Sequence, residues 1–251
     1  MQGTPVYASV YEQDGFQYRP ESIKKKIIGK TKAVFINSPS NPTGNILSKD
    51  RMQKIADLAS EKSLHIISDE IYHGLVYEGT AHCILEFTDN AFVFNGFSKL
   101  YAMTGLRLGY LLAPEEFIRP MQIIAQNFFI SANSMVQHAG IAALKESGDD
   151  ITRMKHVYNE RRKYMIRRLK DLGFGITVEP TGAFYVFVNA KHINKNSYEL
   201  AFDILEKAHL GVTPGIDFGK KGEGYLRFSY ASSMDNIKEG MDRLENYIKN
   251  L

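Results

Sequence analysis

Apolar and polar residues follow two different rhythms along this chain. Through the first two-thirds, short apolar runs alternate with stretches whose apolar residues recur at helical spacing, the pattern of parallel βαβ units. Ala33-Val34-Phe35-Ile36 is a continuous apolar run closed by Asn37-Ser38-Pro39, which predicts a buried strand ending in a turn. Ser48 is placed to cap a helix carrying Met52, Ile55, Ala56 and Ala59. His65-Ile66-Ile67 and Phe92-Val93-Phe94 predict the next two strands, and Leu108–Ala113 a further one stopped by Pro114. Helical patterns follow from Glu115 and from Ser134 to Lys145, with Pro120 either kinking the first or lying in its first turn. Gly148-Asp149-Asp150 punctuates the chain. A long charged helix with Met154, Val157, Tyr164, Met165 and Leu169 then runs to Gly173. Beyond Gly173 the rhythm changes: Ala183–Val188 and Tyr225–Tyr230 read as strands, Tyr198–Leu210 and Asp235–Leu251 as helices. The expected architecture is α/β, a mostly parallel sheet flanked by helices, followed by a small C-terminal α+β domain. The expected divisions are residues 1–150, a connecting helix over 151–172, and residues 173–251.

Composition narrows the function classes. A chain of 251 residues, 44% of them hydrophobic, can fill one large or two small cores. The formal charge of +3 is too small, and the basic residues too scattered, to argue for nucleic acid or a membrane surface. Lys24-Lys25-Lys26 is the densest basic run and reads as a solvated surface. Cys83 is the only cysteine and the seven histidines are dispersed, so neither a disulfide framework nor a metal cluster is expected. No apolar run approaches the ~20 residues of a membrane span, and the N-terminus lacks a signal-peptide pattern. A cytoplasmic protein is expected.

Four short stretches carry chemistry: Asn41-Pro42-Thr43-Gly44, Asp69-Glu70-Ile71-Tyr72, Phe97-Ser98-Lys99 and Gly105-Leu106-Arg107-Leu108-Gly109. Together they supply an amide, a carboxylate, a phenol, an amine and a guanidinium. Lys99 follows a predicted strand and a short turn, and Asp69 ends another strand, so both fall at the carboxyl edge where open α/β sheets bind ligands. Tyr72 is expected on the same side of one helical turn as Asp69. Proline and glycine after Asn41 fix a tight turn. Each has a bland alternative: a surface lysine, a capping aspartate, a half-buried tyrosine, a bare turn.

In this order and spacing the four stretches resemble the class I/II aminotransferases, of fold type I, which use pyridoxal 5′-phosphate. The resemblance extends from Thr4-Pro5-Val6 to the final helix. It implies that Lys99 forms the internal aldimine and moves the proton between the substrate Cα and the cofactor. It also implies that Asp69 pairs with the pyridinium nitrogen, favouring the protonated ring, and that Tyr72 and Asn41 donate to the 3′-oxygen. Arg107 matches the phosphate-binding arginine, and Ser98 adds a hydroxyl there. Many relatives have a serine at the position of Gly96 and a tryptophan at that of Leu106; this chain departs at both. Tyr225-Leu226-Arg227-Phe228-Ser229, preceded by Thr213-Pro214-Gly215 and Phe218-Gly219, resembles the strand whose arginine grips the substrate α-carboxylate, and the resemblance makes Asn41 a substrate-binding residue as well.

The resemblance thus implies ping-pong transfer of an amino group between an L-amino acid and a 2-oxo acid, by an enzyme that is a homodimer when complete. Relatives carry a long stretch ahead of the residue matching Met1, including a glycine-containing phosphate cup and the ring stacked on the cofactor. The chain is therefore expected to represent the later part of the large domain plus the small one, weakly active or inactive alone. The family topology sets a Pro5–Ala8 strand apart from the Ala33–Ile36 strand by a strand this chain lacks, leaving either an open edge or a direct pairing of the two. Two rivals share the motifs: a lyase or synthase on the same fold, and the ligand-sensing domain of a transcriptional regulator.

Overall fold

The apolar runs of the first half pair as a four-stranded sheet in the structure, a computed structural model that describes residues 3–251. Strands β1 (Ala33–Asn37), β2 (His65–Asp69) and β3 (Ala91–Gly96) are parallel neighbours, and β4 (Gly109–Leu112) closes the order β1-β2-β3-β4 antiparallel to β3. The link between β3 and β4, residues 97–108, holds a 3₁₀ turn (Thr104–Leu106) and no crossover helix, and the chain reverses across it. Helix α1 (Pro20–Lys24) precedes β1, and α2 (Lys49–Glu61) crosses from β1 to β2. Ser48 caps α2, accepting the Arg51 N–H at 3.4 Å, and Met52, Ile55, Ala56 and Ala59 are all buried against Val34, Ile36 and Ile66 of the sheet. Each such large aliphatic side chain stabilises the unit by roughly 1.5–3 kcal/mol. Between β2 and β3 the chain makes turns and one short 3₁₀ helix (Ile84–Glu86), and no α-helix crosses over.

The structure corrects several expectations. Residues 5–8 form no strand, and Val6 and Tyr7 are 59% and 80% exposed. β1 is an edge of the sheet and bonds β2 alone, so of the two expected outcomes the open edge is the one found. Without a neighbouring ladder, an extended segment containing Pro5 has nothing to bond. Pro120 lies past the first turn of α3 (Glu115–Phe128). Gly148-Asp149-Asp150 does mark a boundary: the break falls at Ser147, and Gly148 opens the long helix α5 (Gly148–Asp171), where Asp149 and Asp150 suit the positive N-terminal end. α4 (Ser134–Glu146) begins after Asn133, whose side chain accepts the Met135 N–H at 2.9 Å.

The second half builds its own sheet, β5 (Tyr185–Asn189), β6 (Thr213–Pro214) and β7 (Tyr225–Ser229), in the order β5-β7-β6 and antiparallel throughout. Helices α6 (Ser197–Ala208) and α7 (Met234–Lys249) complete it. Val186, Val188, Leu226 and Phe228 of this sheet are buried, as are Ile204 of α6 and Met241 and Leu244 of α7. Val157 of α5 is exposed, whereas Arg162 is buried, donating to the Pro180 carbonyl at 2.6 Å and to Asn159 Oδ1 at 3.0 Å.

By contacts the chain forms two compact units. The first holds the described residues through Val10, Gln17–Pro39 and Ile46–Arg153. The second holds Tyr11–Phe16, Ser40–Asn45 and Met154–Leu251. The division falls inside α5, and two early segments belong with the later unit. No helix among the described residues is long and apolar enough to cross a membrane.

Candidate active site

Parallel pairing puts the carboxyl ends of β1, β2 and β3 along one edge, with Asn37 opposite Asp69 and Asp69 opposite Phe94. Asp69 ends β2 there. Its Oδ1 accepts the Ile71 N–H at 3.2 Å, and its carbonyl accepts Asn37 Nδ2 at 2.9 Å and the Ser38 N–H at 3.1 Å. Beneath Asn37 lies the Tyr18 phenol, 3.1 Å from the Asn37 N–H. Burial pushes that phenol up, and the negative charge of Asp69 adds to the effect against the opposing bond with Asn37.

Tyr72 does not stand on a helix. Two successive turns, closed by His73 N–H to Glu70 O at 2.8 Å and Leu75 N–H to Tyr72 O at 2.9 Å, carry it away from β2. Gly74 at φ 92° continues this path, a backbone region open mainly to glycine. Tyr72 is 4% exposed, and the Lys99 Nζ stands 5.7 Å from its ring centroid. The amine and the phenol expected to work together are thus neighbours.

Lys99 lies in the link between β3 and β4, which is bonded to itself. Thr104 Oγ1 donates to the Ser98 carbonyl at 2.8 Å, and the Met103 N–H to the Phe97 carbonyl at 3.1 Å. Arg107 is exposed, and its Nη1 donates to the Thr104 carbonyl at 2.8 Å. It adopts φ 56°, uncommon for arginine and of the kind that clusters in functional loops. Gly96, at the start of the link, lies against Gly109: a Cβ at Gly96 would come 3.0 Å from the Gly109 Cα and the Leu108 carbonyl. A side chain there would need the facing backbone to give by a few tenths of an ångström.

Asn41 and Arg227 belong to the second unit. The Ser40–Asn45 turn is closed by the Gly44 N–H to Ser40 O at 2.8 Å, and the Gly44 carbonyl accepts the Gly182 N–H at 2.7 Å. Gly44 has φ 69°, and a Cβ on it would lie 2.7 Å from the Tyr185 carbonyl, so only glycine fits. Arg227, on β7 opposite Phe187 of β5 and Thr213 of β6, donates Nη1 to Asn41 Oδ1 at 2.7 Å and Nη2 to Thr213 Oγ1 at 3.0 Å. Its Cζ lies 4.4 Å from the Tyr185 ring centroid and 4.9 Å from that of Phe218. Of the seven expected site residues, then, Asp69, Tyr72, Ser98, Lys99 and Arg107 share the first unit, and Asn41 and Arg227 bond each other within the second. Sequence reasoning passed over Asn37, Tyr18, Thr104, Tyr185 and the hydroxyl of Thr213. Only Thr213 stood in a motif that could have marked it.

A sequence profile described as aminotransferase class I and II matches residues 1–244. The chain is 42% identical to a (5-formylfuran-3-yl)methyl phosphate transaminase of Methanocaldococcus jannaschii, over 91% of this chain and 60% of that protein. It is 39% identical to an aspartate aminotransferase of Pyrococcus abyssi, over 98% of this chain and 65% of that one. Superposed on the crystal structure of an aromatic aminotransferase from Pyrococcus horikoshii OT3, it gives a TM-score of 0.95 at 36% identity, covering 99% of this chain and 68% of that one. The chain belongs to the class I and II aminotransferase family. Its fold is the fold type I of the aspartate aminotransferase-like structures, and it spans 60–65% of the length of these two relatives.

Proposed function

We propose that this chain carries the catalytic residues of a pyridoxal 5′-phosphate-dependent aminotransferase that moves an amino group from an L-amino acid to a 2-oxo acid, the two substrates taking turns at the site. The observation that carries this reading is the Lys99 amine standing over the buried Tyr72 ring, with Asp69 at the strand end three residues before Tyr72.

The donor set fits the cofactor: a primary amine for its aldehyde, an anion for its ring nitrogen, a phenol for its ring oxygen and a guanidinium for its phosphate. When bound, the cofactor supplies an electron sink for the negative charge that develops at the substrate Cα. Asp69, tethered through Oδ1 to the Ile71 N–H, keeps a second oxygen to hold a ring nitrogen protonated. Lys99 takes the proton from Cα and returns it, the general acid–base role for which an amine beside a phenol is suited. Arg107, with one donor spent on the Thr104 carbonyl, has others for phosphate oxygens. Arg227 and Asn41 grip and orient the substrate carboxylate. The relatives are named for different substrates, so the proposal extends to amino-group transfer and no side-chain class. For the complete enzyme it includes a homodimer.

Borohydride reduction after incubation with pyridoxal 5′-phosphate, followed by peptide mapping, tests the assignment. The label should fall on Lys99, and Lys99→Ala should abolish transamination by the complete enzyme. A label concentrated on a different lysine would sink the proposal.

A further inference from the structure

Glu70 is a buried carboxylate for which the proposed reaction has no task. It follows Asp69 directly, and successive residues at a strand end project to opposite faces. Asp69 remains partly exposed at the sheet edge, while the Glu70 side chain is only 2% exposed. Removing a carboxylate from water is costly unless its oxygens are bonded. Oε1 accepts the Ser68 hydroxyl at 2.8 Å and the Ile84 N–H at 2.9 Å. The Cys83 thiol also bonds this carboxylate. Oε2 lies 3.6 Å from His73 Nδ1.

The backbone of the same residue is engaged at both ends. Its N–H donates to Phe94 O of β3 at 2.9 Å, and its carbonyl closes the turn by accepting the His73 N–H at 2.8 Å. Glu70 is therefore both the last rung between β2 and β3 and the first residue of the turn that carries Tyr72. Its side chain ties that turn to Cys83 and Ile84, more than ten residues further along.

We infer that Glu70 is a positioning residue: by stapling the Asp69–Tyr72 turn to the Cys83–Ile84 segment, it fixes the directions in which the Asp69 carboxylate and the Tyr72 phenol meet the cofactor. This rests on the assignment of Asp69, Tyr72 and Lys99 to cofactor binding. Glu70 touches no reacting atom. Its loss leaves the Ser68 hydroxyl, the Ile84 N–H and the Cys83 thiol without their acceptor, directly beneath the turn.

The test uses the whole 251-residue chain, incubated with excess pyridoxal 5′-phosphate, reduced with borohydride and mapped lysine by lysine, with melting temperatures measured in parallel. In the wild type, the Lys99 label should exceed that of the surface lysines. Glu70→Ala should lower the Lys99 label about tenfold relative to the surface lysines, the factor expected from losing one hydrogen bond to a charged group. Glu70→Gln, whose amide oxygen can still accept from Ser68 and Ile84, should retain most of it. Ser68→Ala, a smaller change for use if Glu70→Ala does not fold, should lower it by a factor of about three. Leu58→Ala, a core truncation in α2, should lower the melting temperature and leave the Lys99 share unchanged. If Glu70→Ala folds and keeps wild-type selectivity, or fails to fold while Ser68→Ala keeps it, the inference is overturned and the proposed function stands. Wild-type label spread evenly over the lysines would overturn that function and this inference together.

Discussion

A guanidinium whose two terminal nitrogens bond the oxygens of Asn41 and Thr213, and whose carbon lies over the rings of Tyr185 and Phe218, is more than a positive charge. Its plane is fixed, and cation–π attraction holds it there without consuming donors. Lysine would keep the charge and lose the plane. In the complete enzyme, Arg227→Lys should raise KM for every amino-acid substrate by about tenfold or more, as expected when a point charge replaces a two-pronged contact. Steady-state kinetics across neutral, acidic and aromatic amino acids would check it. An effect confined to dicarboxylic substrates would move Arg227 from the α-carboxylate to the side-chain pocket. The candidate residues themselves could be named from sequence because each sits in a short motif. The bond from Asn41 to Arg227 could not, since it joins positions 186 apart and only the fold brings them together. Glu70 stood in plain view inside Asp69-Glu70-Ile71-Tyr72, but burial cannot be read from a residue type that is usually exposed.

At the level of elements, the apolar runs were legible and the connections less so. Continuous β-branched and aromatic runs gave β1, β2 and β3, and helical spacing gave α2 and α7. Strand direction depends on the path of the link, and residues 5–8 depend on a neighbour to bond; a local pattern contains neither. The Tyr11–Phe16 segment is another such case, because Glu12 ties it to residues far along the chain. Glu12 accepts from Thr177 Oγ1 at 2.7 Å and from the Tyr225 hydroxyl at 2.7 Å. Burial pushes its carboxyl up, but the bonds from Thr177, Tyr225 and Asn189 outweigh burial and leave it below the ordinary 4.5. A carboxylate lowered on folding contributes stability that is complete above its unfolded value and is lost as the pH falls through the folded one. Glu12→Gln should therefore melt earlier than wild type near neutrality, and the two should converge as the pH falls through the lowered folded value and the carboxylate takes up its proton. Thermal melts across that range would show it. A constant gap at every pH would mean that the carboxylate charge is not what holds the segment.

On the scale of the whole molecule, the apolar surface is distributed unevenly. Helix α3 buries no residue completely, and α4 only Gly140, although both are rich in large aliphatic side chains. From the end of α3 into α4, Phe128, Phe129, Ile130 and Met135 are 77–84% exposed, and Phe35 on the open edge strand β1 is 63% exposed. Exposed apolar patches of this kind, and unpaired strand edges, are surfaces on which chains associate. Matched over 91–98% of its own length, the same chain spans 60–65% of the length of two relatives. Amphipathic spacing revealed that α3 and α4 are helices. It could not reveal that their apolar faces would lie uncovered, because coverage is a property of the assembled fold. Two consequences follow for the purified 251-residue chain. It should self-associate, its apparent mass by light scattering rising with concentration, and Phe129→Lys with Ile130→Asp should reduce that rise. It should also bind pyridoxal 5′-phosphate weakly: Arg107 is exposed on a loop, and under the proposed assignment Lys99, Asp69 and Tyr72 would hold a planar ring by its edge groups alone, which leaves few charge-assisted bonds to offset the lost freedom of the ligand. Titration with the cofactor, followed by absorbance, measures this directly. A tight, saturable signal accompanied by transamination would show that these residues suffice.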